Sequence, residues 1–295
     1  MNLLIPVLVV SLFQVSYAES LSARLKQVIK KHHISEESLG LFVEDEGKEI
    51  FNLNADRSMI PASLTKIVTG AAVLNSLPMN IKFETKILAQ NSIKDGVLKG
   101  DLCLKGGGDP SFVSEKMWYL VNELKRTGLS LVEGDLSVDA TRFDDELFDS
   151  GRESVRVDRA FDAPITAASF NWNSVNIFVR PGHSAGSAAK VFLDPENDYV
   201  ELENKTKTVS KSGVKSLEAT RVKSGDHDKI IISGSLSLDA PEAVIYKSIS
   251  NPNLWIGYHL KEFLKQRGIV LKGKIKIASC IASANVLAVS PSKNL

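Results

Sequence analysis

Ser63-Leu64-Thr65-Lys66 places a hydroxyl and an amine three residues apart. On a helix, residues at that spacing are neighbours on one face. A serine hydroxyl is a poor nucleophile until a base takes its proton. A lysine can be that base only when neutral, a form favoured by burial or by nearby positive charge. At a helix start, the positive end of the dipole also favours a developing alkoxide. The chemistry on offer is acyl transfer through a serine ester. The spacing alone does not single out Ser63, because it recurs at Ser187/Lys190, Ser212/Lys215 and Ser290/Lys293. A polar first turn with Ser63 as N-cap would use the same residues without chemistry. Context favours Ser63: a hairpin precedes it, Pro61 stands at the helix start, and an apolar helix able to desolvate Lys66 follows.

A second serine competes. Gly182-His183-Ser184-Ala185-Gly186 matches the G-x-S-x-G elbow of an esterase and follows a strand-like run, Val175 to Arg180. That elbow needs a parallel strand-turn-helix context, whereas Ala188-Ala189-Lys190 leads to Asp194-Pro195 rather than into an apolar helix. Gly106-Gly107-Gly108-Asp109-Pro110 lacks the Gly-Lys-Ser/Thr of a phosphate loop and reads as a sharp turn. The five histidines form no H-E-x-x-H pattern, and the two cysteines, Cys103 and Cys280, have no metal-ligand spacing. Nothing calls for a metal or cofactor. A bond between the cysteines is open to an exported protein, but the sequence does not show it.

The elements that must position Ser63 come early. Leu21 to His32 has helical apolar spacing. Leu39 to Val43 and Glu49 to Leu53 read as two antiparallel strands around a polar turn. Leu64, Ile67, Val68, Ala71, Ala72 and Leu74 continue a helix that ends at Leu77-Pro78. From Phe83 the texture changes to short strands: Glu84 to Ala89, Gly100 to Lys105, Gly134 to Asp139, Val175 to Arg180 and Lys229 to Ser233. Two helices are expected near Glu115 to Arg126 and Ala243 to Arg267, and a solvated loop or hairpin over Asn204 to Ser216. No internal repeat stands out. The class is α+β.

Thirty-six basic and 35 acidic residues leave a net charge of +1, which excludes a global field for nucleic acid. The apolar run Leu3 to Val15 ends in Ser16-Tyr17-Ala18, a pattern expected of an export signal cleaved after Ala18. It is too short for a membrane span.

Pro61-Ala62-Ser63-Leu64-Thr65-Lys66, Gly100-Asp101-Leu102, Gly106-Gly107-Gly108-Asp109-Pro110 and Gly134-Asp135-Leu136 together resemble the DacB-type D-alanyl-D-alanine carboxypeptidases and endopeptidases. These are class C low-molecular-mass penicillin-binding proteins. The resemblance continues through Ala163-Pro164-Ile165, Ser169-Phe170-Asn171-Trp172-Asn173-Ser174-Val175 and Arg180-Pro181-Gly182 to Arg267-Gly268-Ile269. It implies a transpeptidase/β-lactamase-like domain over residues 19–82 and 280–295, interrupted by a β-rich insertion over 83–279. It makes Ser63 the acylated nucleophile and Lys66 its base, acting in the periplasm on peptidoglycan stem peptides and open to β-lactams if the site forms. It also implies an S-x-N motif and a K-T-G strand beyond Leu295, so that this stretch would be C-terminally truncated and impaired. The lookalikes Ser169-Phe170-Asn171, Ser174-Val175-Asn176, Ser292-Lys293-Asn294 and Lys211-Ser212-Gly213 receive no catalytic role. A non-catalytic wall-binding scaffold is the alternative.

Overall fold

The computed structural model describes residues 20–148 and 158–294; the expected export signal lies outside them. The chain divides into two compact units, Met1–Ser76 and Leu77–Leu295.

In the first unit, α1 (Leu21–Lys31) starts at Ser20, whose Oγ accepts from Ala23 N at 3.2 Å. β1 (Leu41–Asp45) and β2 (Lys48–Leu53) form the expected hairpin. Its tip is Glu46-Gly47, with φ of 48° and 79°, the double positive φ that suits the twist of a two-residue hairpin. After a 3₁₀ turn, Ala62–Leu64, comes α2 (Thr65–Ser76). The helix ends just before Leu77-Pro78, as proline requires.

The second unit opens with β3 (Glu84–Ala89), β4 (Ile93–Lys94), β5 (Val97–Leu98) and β6 (Leu102–Lys105), then α3 (Ser114–Arg126), β7 (Leu131–Val132) and β8 (Leu136–Asp139). Next come β9 (Ser174–Arg180), β10 (Lys190–Asp194), β11 (Val200–Val209), β12 (Glu218–Ser224), β13 (His227–Ser237) and β14 (Ala243–Ser248). The chain then forms α4 (Pro252–Gln266), β15 (Val270–Leu271), β16 (Ile275–Ile277) and β17 (Asn285–Pro291). Four sheets result, ordered β10-β9-β14, β11-β13-β12, β15-β7-β5-β4 and β16-β8-β6-β3-β17.

The pairing exposes a threefold internal repeat. Val97-Leu98-Lys99-Gly100-Asp101-Leu102-Cys103-Leu104, Leu131-Val132-Glu133-Gly134-Asp135-Leu136-Ser137-Val138 and Val270-Leu271-Lys272-Gly273-Lys274-Ile275-Lys276-Ile277 lie side by side in parallel register. Each copy crosses from the four-stranded to the five-stranded sheet at its glycine. Gly134 N donates to Gly100 O, and Gly273 N to Gly134 O, both at 3.1 Å. A Cβ on Gly134 would fall 2.4 Å from Gly100 O, and one on Gly273 2.2 Å from Gly134 O, so only glycine lets the three crossings stack.

α3 buries Met117, Leu120, Val121 and Leu124, while α4 buries Leu254, Trp255, Ile256, Leu260 and Leu264. Both helices belong to one continuous core with the strands of the repeat. Cys103 and Cys280 are disulfide-bonded, tying β6 to the segment after β16.

Two expectations change. The helix expected over Ala243 to Arg267 begins only at Pro252, because Asn251 caps it through Leu254 N (3.1 Å) and proline occupies the first turn. Ala243–Ser248 is instead a strand paired with β9. Within the expected Asn204 to Ser216 loop, residues through Val209 belong to β11, where buried Thr206 and Thr208 alternate with exposed lysines. The thread of that strand is polar: Ala189 N donates to Thr206 Oγ1 at 3.0 Å and Gly182 N to Thr208 Oγ1 at 2.8 Å. β17 pairs with β3 antiparallel, within the five-stranded sheet of the second unit.

One backbone feature stands apart. Asn171, Trp172 and Asn173 have φ of 46°, 54° and 51°, a run of three left-handed residues without glycine. Such a conformation costs roughly 1–2 kcal/mol per residue, less for asparagine. The asparagines secure it: Ser114 N donates to Asn171 Oδ1 and Asn171 Nδ2 to Ser114 Oγ (both 3.0 Å). Asn173 Oδ1 accepts from Phe170 N (3.1 Å), and its amide donates to Pro164 O (2.9 Å).

Candidate active site

Ser63 lies in the 3₁₀ turn and Lys66 in the first turn of α2, with Lys66 Nζ 3.0 Å from Ser63 Oγ, a hydrogen bond donated by the amine. The hydroxyl is therefore engaged by the lysine, and the N-cap of the 3₁₀ turn is Pro61, not Ser63. Immediately before the serine, Ala62 takes φ 44°, a left-handed conformation that L-residues with a Cβ rarely adopt. The turn is pinned by Leu64 N donating to Pro61 O (2.9 Å) and by Thr65 Oγ1 donating to Ala62 O (2.8 Å). The strained alanine was not singled out by sequence reasoning; proline just ahead of it was the available sign of an abrupt helix entry.

Both Ser63 and Lys66 are exposed. The expected burial of the helix that follows is not found: α2 has no buried residue, and Ile67 and Val68 are 71% and 73% exposed. Desolvation of the lysine by that helix is thus absent among the described residues.

The other serine-lysine spacings separate clearly. Ser187 precedes β10, Ser212 lies in a turn and Ser290 lies in β17, so none sits on a helix with its lysine. The esterase reading of Ser184 is corrected. Residues 181–189 connect β9 to β10, which pair antiparallel, and no helix follows the serine. The nearby glycines serve that connection: Gly186 N donates to Thr208 O at 2.8 Å. The lookalikes are similarly occupied. Ser169 Oγ donates to Thr166 O (2.9 Å), and Ser292 Oγ accepts from Phe83 N (3.0 Å). The Gly106-Gly107-Gly108 stretch is not itself the expected sharp turn: it runs on from β6, with Gly106 N donating to Asp139 O and Gly108 N to Ala167 O (both 2.8 Å), and the chain turns only at buried Asp109, which accepts from Ser111 N (2.9 Å) and Lys116 Nζ (2.7 Å). Among the described residues no group of three or more His, Cys, Asp or Glu side chains is placed to hold a metal ion, and no helix is long and apolar enough to cross a membrane.

The fold is like part of a solved penicillin-binding protein. It is similar to the crystal structure of penicillin-binding protein 4 (dacB) from Haemophilus influenzae, with a TM-score of 0.71 at 21% identity over 86% of this chain and 56% of that one. The same protein complexed with a β-lactam gives a TM-score of 0.62 at 20% identity, over 84% and 53%. Residues 21–295 match the D-Ala-D-Ala carboxypeptidase 3 (S13) family, and the chain belongs to it. It is 28% identical over 251 residues to the D-alanyl-D-alanine carboxypeptidase of Actinomadura sp. (strain R39), covering 82% of this chain and 46% of that protein. It is 24% identical over 246 residues to the D-alanyl-D-alanine carboxypeptidase DacB of Haemophilus influenzae, covering 83% and 51%. The chain spans about half the length of these curated relatives.

Proposed function

We propose that the chain supplies the nucleophile half of a serine-type D-alanyl-D-alanine carboxypeptidase or endopeptidase acting on peptidoglycan stem peptides. The observation that carries this is the 3.0 Å contact between Lys66 Nζ and Ser63 Oγ at the start of α2, in a member of the S13 family. Ser63 Oγ attacks the carbonyl carbon of the penultimate D-alanine as Lys66 Nζ takes the hydroxyl proton. The peptide C–N bond breaks, the terminal D-alanine leaves with a proton on its nitrogen, and the acyl group remains as an ester on Ser63. Water then attacks that ester and restores the serine. β-Lactams would acylate the same oxygen.

The Met1–Ser76 unit is read as part of the acyl-transfer domain, and Leu77–Leu295 as a β-rich accessory body whose last strand, β17, returns beside its first, β3. Export with cleavage after Ala18 and work in the periplasm are supported by the Leu3 to Val15 run and by the Cys103–Cys280 disulfide, a bond suited to an oxidising compartment. The test is D-alanine release from a pentapeptide ending in D-Ala-D-Ala. The expected result is release that Ser63→Ala and Lys66→Ala each abolish; release unaffected by Ser63→Ala would overturn the assignment.

A further inference from the structure

The sheet β10-β9-β14 ends on one side at β10, whose sequence is Lys190-Val191-Phe192-Leu193-Asp194. Its register fixes which backbone groups of that edge are free. Ile249 N donates to Asn173 O at 3.0 Å, so the odd positions of β9 face β14. The even positions face β10, where Asn176, Phe178 and Arg180 pair with Asp194, Phe192 and Lys190. The N–H and C=O groups of Val191 and Leu193 therefore point away from β9, and among the described residues they make no hydrogen bond. Ala189, two positions earlier, faces the same way and is satisfied by β11: its N–H donates to Thr206 Oγ1 (3.0 Å) and its carbonyl accepts from Asn204 Nδ2 (2.8 Å). A strand edge with unpaired backbone groups is a template for another strand.

The side chains of this edge alternate as well. Val191 and Leu193 pack against the core, while Lys190, Phe192 and Asp194 are exposed on the outer face. Phe192 ends an apolar row that runs across that face through Phe178 to Val244. Lys190 stands directly opposite Arg180, a like-charge pair that destabilises a sheet. Arg180 is bonded to Glu242, whereas neither Lys190 nor Asp194 makes an ion pair among the described residues.

We propose that the β10 edge pairs antiparallel with the β10 edge of a second copy of this chain, about a two-fold axis at Phe192, independent of the acyl-transfer reading. In that register the strand is its own complement. Val191 lies opposite Leu193 of the second copy, and the free groups of the two edges exchange hydrogen bonds with none left over. Phe192 meets its own counterpart, and Lys190 meets Asp194 on both sides of the axis. These are non-hydrogen-bonded pairs, in which side chains approach most closely. Lys190 gains the acid it lacks beside Arg180, and the two apolar rows become one. A shift of two residues either way would set Phe192 against Lys190 or Asp194 and leave charges unmatched.

The test is sedimentation velocity of the purified chain over a concentration series, at low salt because exposed ion pairs are screened. A dimer that grows with concentration is expected, weakened about tenfold or more in Lys190→Asp and in Asp194→Lys, each of which places two like-charge pairs across the axis. An equimolar mixture of the two variants should dimerise again, because every pair across the axis then joins an acid to a lysine; recovery also shows that both variants are folded. In Phe192→Cys the two thiols face each other at a Cα separation of about 4.5 Å, within disulfide reach, so mild oxidation should give a covalent dimer. Lys207→Cys, on β11, should stay monomeric under the same oxidation. Both native cysteines are already bonded and do not compete. A wild-type chain that is monomeric throughout overturns the proposal. So does a dimer unaffected by both charge reversals, which would place the association on another face. Failure of the mixture to recover, or cross-linking of Lys207→Cys equal to that of Phe192→Cys, overturns the β10 register.

Discussion

Helices α2 and α4 have similar lengths, 12 and 15 residues, and both are rich in apolar side chains, yet they meet opposite fates. α4 buries eight residues, with Trp255 fully covered and its indole N–H donating to Phe170 O at 3.1 Å. α2 buries none, and Leu64, Ile67 and Val68 stand in solvent. The contrast extends to the units that hold them. Among the described residues of the first unit the buried apolar ones are Ile29 and Phe51, whereas the second encloses a continuous core from Ile87 to Ala288. Apolar composition makes a helix capable of burial; only a partner surface makes it buried. The second unit provides its own partner surfaces. The first presents an apolar helix beside its serine, a surface suited to association.

The comparison is broken most forcefully by truncation at the core. Trp255→Ala should destabilise the second unit by about 3–5 kcal/mol in urea unfolding, through lost burial and an empty cavity. A loss below about 1 kcal/mol would mean that α4 is not the anchor described. Gly134→Ala adds a Cβ against the Gly100 carbonyl and should cost about 1–3 kcal/mol by overpacking the stacked crossings of the repeat. An unchanged unfolding midpoint would show that the glycine ladder is not required.

The pH dependence sharpens the same contrast. Burial lowers the His259 pKa to about 3, and Asn197 Nδ2 lies 2.6 Å from its Nε2, a contact suited to an unprotonated acceptor. The folded protein keeps this histidine neutral while the unfolded chain protonates it near pH 6.5. Below that pH the unfolded state binds the extra proton, so stability falls as pH drops from about 6.5 toward 3. The slope approaches about 1.4 kcal/mol per pH unit from this group. Unfolding of the wild type and of His259→Gln across pH 7 to 5 checks it: the variant should lose this component of the slope, and parallel curves would contradict the assignment. The smallest effect is expected in α2. Ile67→Ala and Val68→Ala should each change stability by no more than about 0.5 kcal/mol, as exposed positions do; a loss of 2 kcal/mol or more would show that the helix is covered.

Much of the site was legible in the sequence because its signals are local. The hairpin before Ser63, the proline at its turn and the serine-lysine spacing all act within a few residues, and the structure brings Ser63 and Lys66 into hydrogen-bond contact. The state of Lys66's surroundings was not legible, since burial depends on residues distant in the chain. The repeat was missed for a related reason. Each copy is only eight residues long, and the copies are offset by 34 and then 139 residues, so parallel pairing reveals what a regular period would have announced. β11 was misread because its inward side chains are threonines satisfied by Gly182 and Ala189 amides rather than apolar residues. The Ala243–Ser248 strand was merged with α4 because short apolar runs do not distinguish strand from helix until a cap such as Asn251-Pro252 intervenes.

The central claim is that Ser63 is the acylated residue, and it is tested most directly by locating a covalent adduct. The purified chain is incubated with a fluorescent penicillin, digested and read by mass spectrometry, beside Ser63→Ala and Ser184→Ala. The expected result is an adduct on the peptide carrying Ser63, lost in Ser63→Ala and kept in Ser184→Ala. An adduct on the Ser184 peptide, labelling that persists in Ser63→Ala, or no adduct at Ser63 would contradict the assignment.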